Sequence, residues 1–271
     1  MLPVKKFRLP KDIPLEEYPK PEEYLDEARR LTDAAQREGL ILRVMGPIAL
    51  HYYFPEYVDL YRRMERLGDR VFTDIDYASY GKNRGKIVPF FEKQGYELEK
   101  RAAMMSGGTR HIYFGERIPM IDVFFDKLDY NHPIYYQGRL EIHPHCVSLS
   151  DLLLQKLQIV KINGKDLKDA MLLLLAAQIG EDEHNKINFK YVAKLMSEDW
   201  GFYYTSIMNL NKVQAAIHGV PVLSEQERLL IKENAETIIK IIEMEPKSGK
   251  WKGRAKTGTS KIWYKEVSDW E

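Results

Sequence analysis

Two aspartates separated by one residue form the stretch of this sequence with the clearest capacity for chemistry. Asp74 and Asp76 lie in Arg70-Val-Phe-Thr-Asp-Ile-Asp-Tyr77, whose alternation predicts a strand over 70–78. Side chains two apart on a strand point the same way, so both carboxylates share one face. Because carboxylates this close repel one another unless a cation lies between them, the pair fits an oxygen-liganded Mg²⁺ or Mn²⁺. The competing interpretation is an edge strand with two solvated aspartates.

A third aspartate interrupts an apolar stretch further along the chain. Asp122 lies within Pro119-Met-Ile-Asp-Val-Phe-Phe125, and a strand would place Ile121 and Val123 on the face opposite to it. A lone carboxylate among apolar residues is costly unless it is paired or bound to a metal. Three carboxylates converge if this strand lies beside the first.

A glycine turn upstream offers a place for phosphate. The run Val44-Met-Gly-Pro-Ile-Ala-Leu50 predicts a strand, a turn at Gly46 and Pro47, and then the start of a helix. Free backbone N–H groups and the helix dipole both favour an anion at such a position.

The predicted secondary structure of the chain changes near residue 149. Before it, short strands alternate with helices, and after it nearly every segment has helical periodicity. We therefore predict an α+β protein, with a small mixed β-sheet and flanking helices at 1–148 and an α-helical bundle at 149–245. The predicted strands are 40–45, 70–78, 96–105, 111–114 and 120–125, and the predicted helices are 21–38, 48–54, 86–94, 149–160, 165–179, 188–199, 201–218 and 224–244, the last with a capping box of Ser224 and Glu227.

The segment 246–271 is a third region of different composition. Between Lys247 and Lys265 every formal charge is positive. The aromatic residues within the segment include Trp251, Trp263, Tyr264 and Trp270. Basic side chains contact phosphates and aromatic rings stack on unpaired bases, so this tail is the candidate for nucleic-acid binding. The equal alternative is a tail folded back onto the preceding domain through Trp263 and Tyr264.

Composition excludes several other classes of protein. The 271 residues are 44% hydrophobic and 30% charged, as in globular proteins, and 41 basic residues against 40 acidic ones leave a net charge of +1. No global basic field therefore attracts nucleic acid. Cys146 is the single cysteine and cannot form an internal disulfide. The N-terminus lacks the apolar core of a signal peptide. The longest apolar run, 170–177, is shorter than the ~20 residues of a membrane span. We therefore expect a cytoplasmic protein with no membrane partner.

The combined motifs resemble the nucleotidyltransferase superfamily related to DNA polymerase beta. That superfamily has a strand ending in glycine, then a D-x-D strand, then a third acid on a later strand. Additional motifs are similar to the AbiEii/MenT-type branch, which includes nucleotidyltransferase toxins of bacterial and archaeal defence systems. They are Arg70 four residues before Asp74, Leu152-Leu-Leu-Gln-Lys156-Leu, and Lys165-Asp166-Leu-Lys-Asp169.

This resemblance implies a metal-dependent enzyme that moves an NMP from an NTP to an acceptor hydroxyl and releases pyrophosphate. Asp74 and Asp76 would bind two divalent metals, and Asp122 would hold the metal that activates the hydroxyl. Lys156 would reach the triphosphate, while Asp169 would orient Lys156 or the acceptor.

The same resemblance implies that Gly46, Pro47 and Arg70 contribute to nucleotide binding. Pro47 departs from the family, which usually has Gly or Ser at that place. Proline has neither an N–H nor a hydroxyl, so one phosphate contact is lost.

The acceptor implied by the resemblance is RNA, such as a tRNA 3′ end, or a protein, and a toxin would have an antitoxin partner. One alternative is a small-molecule acceptor such as an aminoglycoside, which needs an acidic pocket that Glu181-Asp182-Glu183 would supply. The other is a nucleotide- or RNA-binding protein without turnover, which Pro47 motivates.

Three further motifs receive structural interpretations. We expect Ser106-Gly-Gly-Thr-Arg110 to be a hairpin turn rather than a phosphate loop. Arg62 and Arg66 are expected on a solvated helix face, with Glu65 and Asp69 as partners. A structural zinc site needs four ligands, so His143 and His145 are assigned to a surface or linker segment.

Overall fold

The computed structural model describes residues 8–68, 70–106 and 108–267. These divide into two compact units. The first unit contains the described residues up to Tyr52 together with those of 67–128 and 135–147. The second unit contains 53–66, 129–134 and the described residues from Ser148 onward. The predicted α+β class is confirmed.

A five-stranded mixed sheet forms the centre of the first unit. In chain order its strands are β1 (Arg43–Val44), β2 (Ile75–Ser79), β3 (Tyr96–Leu98), β4 (Arg110–Gly115) and β5 (Met120–Phe125). Their order in the sheet is β1-β2-β5-β4-β3. β2 and β5 are parallel, and the other neighbours are antiparallel.

Apolar side chains of the two central strands fix this sheet in the core. Ile75, Ile121 and Val123 are fully buried, as a strand covered on both faces requires. Tyr77 is also buried, and its hydroxyl donates to the carbonyl of Ala28 at 3.1 Å. The apolar residues that alternate with Asp76 and Asp122 therefore share one buried face of the sheet, and the two acids lie on the other face.

Eleven helices occur in the described part of the chain: α1 (Pro21–Arg37), α2 (Gly46–Tyr53), α3 (Val58–Arg63), α4 (Arg84–Lys93), α5 (Lys100–Met105), α6 (Leu149–Leu157), α7 (Gly164–Ala176), α8 (Phe189–Glu198), α9 (Trp200–Ala216), α10 (Glu225–Met244) and α11 (Gly249–Ala255). The predicted capping box at Ser224 and Glu227 is confirmed at the start of α10. Within the described residues, no helix combines the length and the apolar character needed to cross a membrane.

Four short strands complete the fold: β6 (Lys127–Leu128), β7 (Ile134–Tyr135), β8 (Gln178–Gly180) and β9 (Lys186–Asn188). β8 and β9 pair in parallel between α7 and α8, where the sequence pattern predicts no strand. Each pairs over three residues, which is too short for a period of two to be recognised.

The prediction of a strand over 96–105 is wrong in its second half. β3 ends at Leu98, and α5 follows because the Glu99 side chain accepts the backbone N–H of Ala102 at 2.5 Å as an N-cap. The expected hairpin turn after Met105 is therefore a helix-to-strand turn. In it, Ser106 Oγ donates to the Arg110 carbonyl at 2.7 Å, while Gly107 lies outside the described residues.

The basic tail folds back onto the second unit over its described part. Ser248 N–H donates to the carbonyl of Ser197 at 3.0 Å, and the Trp263 indole donates to Thr205 Oγ1 at 3.0 Å. Further on, Lys265 N–H donates to the carbonyl of Asn131 at 3.0 Å. Trp270, a further predicted anchor, lies outside the described residues.

Candidate functional site

Three carboxylates meet at one edge of the two central strands. Asp76 on β2 and Asp122 on β5 are register partners, and Asp74 lies immediately before β2. One oxygen from each of the three lies within 4.8 Å of the others. The convergence predicted from the sequence is therefore present. In the described part of the chain, this is the one group of three or more such ligands close enough to share a metal ion.

Asp122 is the buried member of this cluster, with 3% of its surface exposed. Arg110 on β4 donates to its two oxygens, at 2.6 Å from Nη2 and 3.2 Å from Nε. Burial raises the pKa of Asp122, Arg110 opposes that rise and Asp74 adds to it, giving a pKa of about 6. Arg110 thus offsets only part of the cost of burying the charged form of Asp122, and a cation at this position would offset more of it.

Gly46 connects the glycine turn to this cluster. Its φ is +61°, and a Cβ at this position would lie 3.3 Å from Oδ2 of Asp76. The N–H of Met45 donates to the Asp76 carbonyl at 2.8 Å, which holds the turn against β2. Glycine is required here both for the left-handed backbone and for the close approach of a carboxylate.

Pro47 is the second residue of α2 and has no N–H to offer at this helix start. Its carbonyl accepts from Nδ1 of His51 at 3.0 Å, a bond within the first turns of the helix. The expected loss of one backbone donor toward a phosphate follows from the residue type and its position.

Arg70 lies near the cluster but bonds to the N-terminal segment. Its Nη2 donates to the carbonyl of Ile13 at 2.8 Å, and its guanidinium lies 4.6 Å from the ring centre of Tyr18. Burial raises the pKa of Tyr24, Asp74 raises it further, and Arg70 lowers it. Arg70 and Asp74 therefore act on the same tyrosine with opposite sign.

The other two predicted residues, Lys156 and Asp169, belong to an ion network inside the second unit. Lys156 Nζ lies 2.9 Å from Asp166 Oδ1 and 2.8 Å from Asp169 Oδ2. Arg66 Nε and the Tyr61 hydroxyl each donate to Asp169 Oδ1 at 2.6 Å. Burial opposes ionisation of Asp169, but Lys156 and Arg66 together lower its pKa to about 2. The role of Lys156 toward a triphosphate stays a prediction.

Sequence reasoning misassigned one arginine of this network and passed over one beside the cluster. Arg66 was expected on a solvated face, yet its side chain is 8% exposed and binds Asp169; its expected partner Asp69 lies outside the described residues. The sequence pattern predicts Arg110 at the end of a turn, whereas it is the first residue of β4. Strand alternation over 110–114 predicts which face of the strand the Arg110 side chain lies on. Its pairing with Asp122 depends on the β4–β5 register, which the sequence does not specify.

The two histidines near Cys146 hold a turn. His143 Nδ1 accepts the backbone N–H groups of His145 at 3.2 Å and Cys146 at 3.0 Å. His145 Nε2 lies 3.0 Å from Asp33. These contacts occupy a ring nitrogen of each histidine.

Comparisons with known proteins give one structural likeness. No protein-family model matches the chain, and no curated protein does. A solved chain, described as the solution structure of the antibiotic-resistance factor ANT(2'')-Ia, is 13% identical, with a TM-score of 0.37. The match covers 65% of this chain and 94% of that one.

Proposed function

We propose that this protein is a metal-dependent nucleotidyltransferase that moves an NMP from an NTP to an acceptor hydroxyl. The observation that carries the proposal is the cluster of Asp74, Asp76 and Asp122, with their oxygens within 4.8 Å, beside the helix start at Gly46. Clustered carboxylates next to a helix N-terminus serve phosphate chemistry because the acids bind cations and the backbone favours the anion.

The donor set fits Mg²⁺ or Mn²⁺. All three ligands are carboxylates, which hard divalent cations prefer. The pKa of Asp122 is raised mainly by burial, with a smaller contribution from Asp74, so a bound cation would stabilise its charged form. When bound, such cations neutralise charge on the α-phosphate and on the attacking and leaving oxygens. Asp74, Asp76 and Asp122 would hold them.

Other groups of this chain, close to the cluster, orient the phosphate and the carboxylates. The start of α2 at Gly46 orients phosphate oxygens through its backbone, with one donor fewer because of Pro47. Arg110 holds the carboxylate of Asp122 in a fixed orientation through two hydrogen bonds. Roles for Arg70, Lys156 and Asp169 in nucleotide binding belong to the same proposal.

For the acceptor we propose RNA, such as a tRNA 3′ end, ahead of a protein or a cationic small molecule. A cationic acceptor needs free acidic groups, and two of the three acids in 181–183 already pair with lysines. Glu181 pairs with Lys190 at 2.7 Å and Asp182 with Lys186 at 3.3 Å. A toxin role with a separate antitoxin is part of the proposal and rests on the motif resemblance alone.

The test is incubation of the protein with each α-³²P-labelled NTP, Mg²⁺ or Mn²⁺, and total RNA. We expect label in an RNA band, lost by orders of magnitude in Asp74→Asn because a cation ligand is removed. Asp26→Asn is the matched control, since Asp26 is an exposed aspartate on α1. Circular dichroism of both variants establishes that each is folded.

The other outcomes separate the alternatives. Label on the protein itself would indicate protein nucleotidylation, and NTP binding without transfer would indicate a small-molecule acceptor. Neither transfer nor NTP binding would overturn the catalytic proposal and favour a binding protein with the defect expected from Pro47.

A further inference from the structure

A cleft of about 410 Å³ opens within the second unit, between the start of α9, α11 and the chain that follows α11. Its volume is in the range of small-molecule sites. The tail is seated closely here, because a Cβ at Gly201 would lie 2.3 Å from the carbonyl oxygen of Trp263. We name this cleft the aromatic cleft; its lining includes Trp200, Lys250, Trp251, Arg254, Trp263 and Tyr264.

Trp263 and Tyr264 are held in place yet remain partly exposed, whereas Trp200 is only 8% exposed and has the Arg254 guanidinium 4.9 Å from its ring centre. Trp200 stacks on Tyr204 with ring centres 5.2 Å apart, and Tyr204 meets Trp263 edge-on at 5.2 Å. Trp263 in turn contacts Tyr264, and both are half-buried. A partly exposed ring that is fixed from behind is a stacking surface that requires little ordering when a planar group binds.

Trp251 adds an unused hydrogen-bond donor. Its ring packs edge-on against Tyr203 at 5.1 Å, and the ring is half-buried. Among the described residues, the buried Nε1 of Trp251 has no hydrogen-bond partner. A buried donor left unpaired is rare in folded proteins, and this one belongs to a residue of the cleft lining.

Positive charge is concentrated around the aromatic cleft. From 247 to 265 the tail contains seven basic residues and no acidic one, in a chain of net charge +1. Lys250 and Lys265 are exposed at the cleft. The two acids of the lining are already engaged, since Glu198 pairs with Lys194 at 2.9 Å and Asp199 accepts the N–H of Phe202 at 3.0 Å.

We infer that the aromatic cleft binds an unpaired nucleic-acid strand, with a base stacked on its rings and phosphates on its lysines. Planar rings beside exposed lysines fit a ligand that has both a π-face and a negative backbone. Lys265 also pairs with Asp129 at 3.1 Å, so Lys250 is the main candidate for a phosphate contact. Binding itself stands on this cleft alone, whereas naming the strand as the acceptor rests on the proposed function.

The test is fluorescence anisotropy of the full-length protein with labelled 12-nucleotide RNA, the same sequence as DNA, and the matching duplex. We expect the single strands to bind more tightly than the duplex. Tyr264→Ala should weaken binding about 5- to 150-fold, the range for loss of one stacked base. Lys250→Gln should lower the slope of log affinity against log salt by about 0.7. Tyr135→Ala and Lys232→Gln, which change exposed residues outside the cleft, should bind like the wild type.

The preference for single strands and the affinities of the cleft variants decide whether the inference holds. Equal binding of RNA and DNA, or a preference for RNA, supports a cleft for unpaired strands. Equal affinity for the duplex or for heparin, or unchanged affinity in the cleft variants, would overturn it. We expect Asp74→Asn to bind the labelled strands as the wild type does. Strand binding by the wild type without nucleotide transfer would therefore contradict the proposed function but not this inference. Nucleotide transfer to RNA, with RNA affinity unchanged in the cleft variants, would contradict this inference but not the proposed function.

Discussion

Two buried aspartates, one in each unit, have opposite electrostatic surroundings. Asp122 is 3% exposed and Asp169 is fully buried. The pKa of Asp122 is raised to about 6, whereas that of Asp169 is lowered to about 2. Burial raises the pKa of both. The difference comes from their neighbours, because Asp122 faces Arg110 and the acid Asp74 while Asp169 faces both Lys156 and Arg66.

The two aspartates differ in how far the chain itself neutralises their charge. A buried carboxylate that the chain itself neutralises contributes to folding, and its removal leaves buried cations unpaired. A buried carboxylate that shares its space with other acids is under-compensated and gains from an added cation. Asp169 belongs to the first kind and Asp122 to the second.

The largest expected effect is on folding. We predict that Asp169→Asn lowers the free energy of unfolding by about 3–5 kcal/mol, because Lys156 and Arg66 then lose a buried counter-charge. Asp122→Asn should not lower it, because the raised pKa of Asp122 means that the folded state disfavours the charged form that asparagine replaces. Urea denaturation of the two variants measures both. Equal losses would show that the two aspartates do the same structural work.

A pH series sharpens the contrast. The pKa of Asp169 is lowered from 3.8 to about 2, so its ionisation stabilises the fold above about pH 4 and the gain is lost as pH falls toward 2. The shift corresponds to about 2 kcal/mol. We expect the stability difference between the wild type and Asp169→Asn to shrink by that amount between pH 5 and pH 2. A constant difference in urea titrations would contradict this electrostatic account.

The smallest expected effect is on cation binding. Arg110→Gln removes a positive charge from the oxygens of Asp122, so we predict that Mn²⁺ binds up to about fivefold more tightly, or about 1 kcal/mol. Isothermal titration measures this affinity. Arg117→Gln is the matched control, because Arg117 also pairs with a buried acid, Glu27, at 3.0 Å. Weaker binding in Arg110→Gln would mean that Arg110 helps to build the cation site.

Sequence patterns predicted the local features of the fold and the acids of the candidate site. β5 has the predicted bounds, Met120–Phe125, because a continuous apolar run with one acid is a local signal. Asp74, Asp76 and Asp122 were found from alternation and residue type, and the parallel pairing of β2 with β5 brings them together as expected. The strands and the acids on them depend on periodicity within single segments, whereas the β2–β5 pairing that joins the acids is a long-range contact.

Other contacts depend on distances that no single segment encodes. Arg66 and Asp169 are far apart in sequence, and the basic stretch around Arg66 has the same pattern as an exposed helix face. The helix α5 replaced half of a predicted strand because the cap at Glu99 outweighed a short apolar pattern. Capping and ion pairing between distant segments are decided by tertiary structure, which a periodicity analysis does not include.

Gly46 meets two structural requirements at one backbone position. Its φ of +61° strains any other residue, and the missing Cβ leaves room for the carboxylate of Asp76 at 3.3 Å. In a mutational selection, most positions let stability and catalysis be traded against one another. Position 46 does not, since every substitution would disturb the turn and the carboxylate together, and the two properties would be lost as one trait.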